Sequence, residues 1–191
     1  MVNTRNLTLI PVAVVALVLA GCTSSTETET IGDATGTYFV NDCALRSTAV
    51  EQVGAPVGQV IDGIVIGGDE VPVISVGPDS QPASELLVTD LRPGNGPSAA
   101  LGDTITVNYC GVGQSTGSLF DSSWANGQPA TFPLIQGGLI QGWIDGVTGM
   151  QVGERRLLII PSELGYGNQA VGSILPNETL IFVVDLVSID S

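Results

Sequence analysis

The chemistry open to this chain is bounded first by what it lacks. Histidine is absent, and all five basic side chains are arginines. Without imidazole there is no Ser-His-Asp or Cys-His nucleophile system and no zinc site built on histidine. Without lysine there is no phosphate-loop lysine and no Schiff base. We expect no metal and no cofactor. What remains is a series of short motifs in which aromatic, apolar and hydroxyl side chains stand among glycines. In order they are Val107-Asn108-Tyr109-Cys110-Gly111, Gly117-Ser118-Leu119-Phe120-Asp121-Ser122-Ser123, Leu139-Ile140-Gln141-Gly142-Trp143, Met150-Gln151-Val152-Gly153-Glu154-Arg155-Arg156, Gly165-Tyr166-Gly167, Ile174-Leu175-Pro176-Asn177 and Leu180-Ile181-Phe182-Val183-Val184-Asp185-Leu186. Taken singly, Trp143, Phe120, Phe182 and Leu139 read as core, Asp121 as a turn residue or strand cap, and Gly165-Tyr166-Gly167 as a turn. Their joint occurrence points to a site. Glu154, Arg155 and Arg156 read as a solvated strand face.

These motifs need elements to hold them. The stretch 139–150 is the best candidate for a helix, because Leu139, Ile140, Trp143, Val147 and Met150 fall near helical spacing. Its glycines each lower helix propensity by about 1 kcal/mol relative to alanine, so the segment must be clasped by something else. Strands are expected over 84–91, 103–110, 119–121, 130–134, 154–161 and 179–188, separated by turns such as Pro93-Gly94-Asn95-Gly96-Pro97. In 103–110, Ile105, Val107 and Tyr109 alternate onto one face. The fold class expected is α+β: an antiparallel sheet curled around one short α-helix, making a small apolar pocket over the Trp143 indole.

The chain divides into four segments. Residues 1–21 form a signal peptide, with Arg5 ahead of an apolar run too short for a comfortable membrane span of ~20 residues. The run ends in Leu19-Ala20-Gly21-Cys22, which closely resembles the lipobox of bacterial lipoproteins and implies lipid on the Cys22 thiol. Residues 22–36 are polar and acidic and read as a tether. Residues 37–83 carry strand-like stretches at Tyr38-Phe39-Val40 and 57–66 but no motif; they are either an extension packed on the following domain or a loose spacer. Residues 84–191 form the main domain. The net charge of −14 argues against nucleic acid as a partner. With Cys22 lipidated, Cys43 and Cys110 are left as a pair in an exported chain. Either they form a disulfide that pins the extension to the outer face of the sheet, or they are two separate buried thiols.

In their order and separations the motifs of 84–191 resemble the FKBP-type peptidyl-prolyl cis-trans isomerases, here in a bacterial lipoprotein form. The resemblance implies an antiparallel sheet around one short helix and activity on X–Pro bonds, with no covalent step. It implies a pocket lined by Tyr109, Phe120, Asp121, Leu139, Ile140, Trp143, Tyr166, Ile174, Leu175 and Phe182, with Trp143 as the floor. Within that set Tyr109, Asp121, Ile140 and Tyr166 are the implied catalytic residues, the Ile140 N–H and Tyr166 hydroxyl binding peptide carbonyls. Partners implied are proline-containing segments of exported proteins and the macrolide inhibitors of the family. The implied location is the extracytoplasmic face of the cell membrane, through the lipid anchor. Two positions depart from the usual pattern: Ala130 follows Pro129 where an aromatic residue is common, and Val171 stands where a histidine is common. They imply a more open wall, and an alternative reading as a low-activity proline-peptide binding or chaperone module.

The physical demands of that activity suit this composition. Twisting an X–Pro amide breaks no bond and moves no proton. The barrier of ~18–20 kcal/mol is lost resonance, so a dry pocket that penalises the planar polar amide can lower it.

Overall fold

The computed structural model describes residues 36–46 and 49–190. The expectations for residues 1–21, for lipidated Cys22 and for most of the 22–36 tether lie outside the described residues. The strands in chain order are β1 (Thr37–Asp42), β2 (Val50–Val53), β3 (Gln59–Ile61), β4 (Ile64–Gly67), β5 (Val73–Val76), β6 (Leu87–Arg92), β7 (Thr104–Gly113), β8 (Leu119–Ser122), β9 (Ala130–Pro133), β10 (Arg155–Ile160) and β11 (Leu180–Asp190). Helix α1 (Ser123–Asn126) lies between β8 and β9, and α2 (Gln141–Val147) between β9 and β10; a 3₁₀ turn spans Ser162–Leu164.

The strands make two antiparallel sheets. The N-terminal sheet has the order β2-β1-β5-β4-β3, and the main sheet the order β6-β10-β11-β7-β8, with β9 also pairing β7. Strand alternation gives the main sheet two apolar faces. Ile105, Val107 and Tyr109 of β7, Leu158 and Ile160 of β10, and Leu180, Phe182 and Val184 of β11 point inward, toward α2. Cys110, Val112, Leu157, Ile159, Ile181 and Val183 point outward, against Cys43, Ile64, Ile66, Ile74 and Val76 of the N-terminal sheet. Residues 37–83 are therefore a second layer of the fold, not a spacer. Two of its strands, β2 and β5, were not anticipated, and the strand-like stretch 57–66 resolves into the β3–β4 hairpin.

Helix α2 is shorter than its sequence pattern suggests. Ile140 before it and Thr148 after it both have extended ψ values, 147° and 130°. Two of its glycines have a packing reason. A Cβ on Gly142 would collide with Ile160, and one on Gly146 would lie 2.6 Å from Leu158. Only bare backbone lets the helix press this closely on β10. The small helix α1 was also not anticipated, although its caps are readable: Ser122 Oγ accepts from the Ala125 N–H at 3.3 Å, and Gly127 takes the left-handed conformation at φ 76°.

A disulfide and a buried cation are two of the links that fasten the layers. Cys43 and Cys110 form the disulfide, with Cα atoms 5.8 Å apart and a sequence separation of 67. The second link corrects an expectation. Arg155 is not on a solvated face; it is 5% exposed, as is Glu154. Its Nε and Nη2 reach the two Asp185 oxygens at 2.6 and 2.8 Å. Its remaining donors bond the carbonyls of Gly68, Asp69 and Glu70 at 3.1, 3.0 and 2.8 Å. Because the outer face is covered, its cation is buried and must be fully paired.

The disulfide closes a long loop, which the chain-entropy relation values at about 4 kcal/mol. The double variant Cys43→Ser, Cys110→Ser is expected to melt about 10 °C below wild type in a calorimetric scan. An unchanged melting temperature would show that the bridge adds nothing beyond the packing around it.

Candidate active site

The inner face of the main sheet and α2 enclose a cavity of about 770 Å³. Its floor is Trp143, in the first turn of α2 and 4% exposed. Because Gly142 draws the helix onto β10, the indole sits deep among the strand side chains. Tyr109, Phe132 and Phe182 stand edge-on around it, with ring centroids 5.4, 5.7 and 5.4 Å from the indole. Phe120 in turn stands edge-on to Phe182 at 5.4 Å. Such pairs each add about 0.5–1.5 kcal/mol beyond area burial and fix ring orientation.

A β-bulge shapes the wall built by β8. Gly111 pairs with Asp121, but Val112 pairs with Leu119, so Phe120 is an extra residue on its strand. Alternation alone would send Phe120 and Asp121 to opposite faces. The bulge lets both face the cavity, while Leu119 and Ser122 turn outward. Opposite the bulge, Gly111 leaves room for two rings: a Cβ there would lie 2.5 Å from Phe120 and 2.7 Å from Phe182.

Tyr109 and Asp121 meet at the cavity edge. The Tyr109 hydroxyl donates to Asp121 Oδ2 at 2.5 Å, and Asp121 Oδ1 accepts from the Ser122 N–H at 2.9 Å. Burial, reinforced by the hydrogen bond and the negative charge of Asp121, raises the Tyr109 pKa above the ordinary tyrosine value. Its hydroxyl therefore stays protonated and remains a donor. The Tyr109 backbone is held as well, its N–H donating to Ser123 Oγ at 2.8 Å where β7 passes from β9 to β8.

The rim comes from loops. Ile140 and Leu139 precede α2 and are half-buried. Among the described residues no backbone acceptor engages the Ile140 N–H. Tyr166 lies beyond the 3₁₀ turn and is 38% exposed, with its ring lining the cavity. A tight hairpin pairs Val171 with Ile174 through N–H···O bonds of 3.1 and 2.9 Å, and both side chains line the opening.

Nine of the ten residues expected to line the pocket do so: Tyr109, Phe120, Asp121, Leu139, Ile140, Trp143, Tyr166, Ile174 and Phe182. Leu175 does not. It is 47% exposed and lies outside the lining of the cavity. Phe132, which was not among the expected lining residues, also lines the cavity, its ring 5.9 Å from Tyr109 and 5.7 Å from Trp143. Ala130 and Phe132 lie on the same face of β9, two residues apart, with exposed Thr131 and Pro133 between and after them. The period-2 pattern of Ala-Thr-Phe-Pro carried the signal for Phe132. The described residues hold no group of acids or cysteines arranged for a metal ion.

Comparison with known proteins agrees with this geometry. Residues 96–187 match the family described as FKBP-type peptidyl-prolyl cis-trans isomerase. An FK506-binding protein of Streptomyces anulatus is 49% identical over 114 residues, covering 59% of this chain and 92% of that one. A probable FK506-binding protein of Corynebacterium glutamicum is 44% identical over 115 residues, covering 60% of this chain and 93% of that one. Among solved structures, FkpA from Escherichia coli superposes with a TM-score of 0.52 at 36% identity, covering 58% of this chain and 51% of that chain. The chain thus spans about half the length of FkpA. A peptidyl-prolyl cis-trans isomerase from Pseudomonas syringae superposes with a TM-score of 0.50 at 32% identity, covering 56% and 76%. The residues matched to the family begin after the N-terminal sheet, which ends at Val76. With its antiparallel sheet, its short central helix and its aromatic pocket, the chain belongs to the FKBP-type peptidyl-prolyl cis-trans isomerases.

Proposed function

We propose that this isomerase acts on X–Pro bonds of exported proteins from the extracytoplasmic face of the membrane, held there by lipid on Cys22. The observation that carries the catalytic part is the Trp143-floored cavity, in which aromatic rings surround a substrate-sized space and donors stand only at its edge. A proline ring rests on the indole. The Ile140 N–H and the Tyr166 hydroxyl donate to carbonyls of the peptide on either side and hold it in a turned shape. The planar amide, stripped of water by Phe120, Phe132 and Phe182, loses more solvation than the twisted one, so the barrier falls. Asp121 faces that amide and, through its bond to Tyr109, keeps the wall in place. Uncatalysed isomerisation takes tens to hundreds of seconds, slow enough that this activity matters to folding.

The reading divides the chain at 1–21 (signal), 22–36 (tether), 37–83 (extension) and 84–191 (isomerase domain), with the extension built against the domain. The Cys43–Cys110 disulfide supports export, since such bridges persist in oxidising compartments. The same pocket would accept macrolides of the FK506 class named in its relatives. A low-turnover binding module, favoured by Ala130 and Val171, is the weaker reading, because Phe132 adds a further ring to the aromatic pocket.

Replacing Tyr166 by Phe removes one donor and is expected to lower kcat/KM on a proline tetrapeptide about 3- to 10-fold, the value of one hydrogen bond. Asp121→Val is expected to cost about tenfold or more, since it also frees the buried Tyr109 hydroxyl. Full activity in both variants would remove these residues from the mechanism.

The rate should be flat from neutral to mildly alkaline pH. The chain has no histidine or lysine to titrate there, and Tyr109 is held protonated beyond the ordinary tyrosine range. A profile rising or falling tenfold across that interval would contradict the desolvation mechanism.

Cys22→Ser is expected to move the protein from the membrane fraction to the soluble fraction of cells expressing the full chain. Retention of the variant in the membrane fraction would refute anchoring through that thiol.

A further inference from the structure

Strand β8 carries two pocket residues but is poorly held by its own sheet. It has four residues, it lies at the end of the strand order, and its ladder to β7 is interrupted at Phe120. A bulged edge strand has weakly specified register, and a slip of one residue would move Phe120 and Asp121 off the cavity. Something outside the main sheet must fix it.

That support comes from the end of β1 in the N-terminal sheet. Asn41 is 3% exposed and faces the β7–β8 turn. Its Nδ2 donates to the Gly117 carbonyl at 2.8 Å, and its Oδ1 accepts from the Leu119 N–H at 3.2 Å. One amide thus holds the chain on either side of Ser118, where it enters β8 immediately before Phe120. Two residues on, the Cys43 carbonyl accepts from Ser122 Oγ at 2.6 Å, immediately after Asp121. The Cys43 side chain is bonded to Cys110, the neighbour of Tyr109. A single three-residue segment therefore brackets the bulge at both ends and is tied to the chain neighbours of both partners of the Tyr109–Asp121 hydrogen bond. The segment is itself anchored: Asn41 pairs with Ile74 of β5, and the Cys43 N–H donates to Pro72 O at 3.1 Å.

We infer that Asn41 and the Cys43 carbonyl are positioning groups for the isomerase site, setting the β8 bulge so that Phe120 and Asp121 face the substrate. The N-terminal sheet is then a working part of the enzyme, although it lies outside the residues that match the family. This inference rests on the isomerase reading for its kinetic arm but not for its structural one. A displacement on the order of 1 Å at a positioned group can cost up to about 100-fold in rate, so a loosened bulge should register clearly.

The test uses the full chain and compares Asn41→Ala with Ile66→Ala. Ile66 lies in β4, in the packing between the sheets, and is separated from β1 by β5. Both variants are expected to melt below wild type. Asn41→Ala alone should lose about tenfold in kcat/KM at a temperature where both are folded. It alone should shift the backbone amide resonances of Phe120 and Asp121. Ser122→Ala, which removes the donor to the Cys43 carbonyl, should lower kcat/KM in the same direction, and Ser122→Thr should restore it. Wild-type kcat/KM in folded Asn41→Ala, with unmoved resonances, would overturn the inference. So would an equal loss in Ile66→Ala, which would reduce the effect to general destabilisation. If Asn41→Ala does not fold, full activity in Ser122→Ala would overturn it. Wild-type chain without turnover in the same assay would sink the isomerase reading instead, and the resonance shifts would still judge the positioning.

Discussion

The main sheet has two apolar faces, and both must be covered. This constraint organises the molecule. Strands β10 and β11 bury side chains in both directions, so neither face can meet water without losing roughly 25 cal/mol for each Å² of apolar surface exposed. Helix α2 covers the inner face and the N-terminal sheet covers the outer one. The inner cover is short and leaves part of its face open, and that opening is the cavity. The outer cover is a five-stranded sheet and buries the side chains of β7, β10 and β11 that face it.

Function follows from how closely the inner cover approaches. Gly142 and Gly146 remove the Cβ atoms that would hold α2 away from Ile160 and Leu158. The helix gives up propensity for this, and contact with the sheet compensates. Trp143 is thereby lowered to the level of the strand side chains, where three rings can stand edge-on to it. Gly111 does the same for the side wall by leaving space for Phe120 and Phe182. In both places the pocket is made by backbone approach as much as by the rings that line it.

The outer cover reaches the pocket by another route. The segment from Asn41 to Cys43 lies on the far side of the sheet from the cavity, yet it holds the strand on which Phe120 and Asp121 stand. Arg155 seals the same interface close by, with its guanidinium between Asp185 and three carbonyls of the β4–β5 connection. The two layers are thus joined by apolar contact, a disulfide and a fully paired buried cation.

Much of this was legible in the residue order. The alternation of Ile105, Val107 and Tyr109 places a strand face, and the motif series assigns the family and most of the pocket. The runs Leu157–Ile160 and Leu180–Val184 carried a further message, since a strand apolar at every position must be buried on both faces. They required an outer cover, although not which residues supply it. Phe132 was readable from the period of β9, once Ala130 is recognised as its same-face neighbour. Other features belong to the tertiary structure alone. Whether Cys43 meets Cys110 depends on bringing together residues 67 apart in sequence, which no local pattern encodes. The burial of Arg155 depends on a loop from another sheet lying over it. The bulge at Phe120 depends on which residues of β7 and β8 pair. Local alternation determines which way side chains face along a regular strand; where a bulge breaks it, and what each side chain meets, is decided only when distant segments pack.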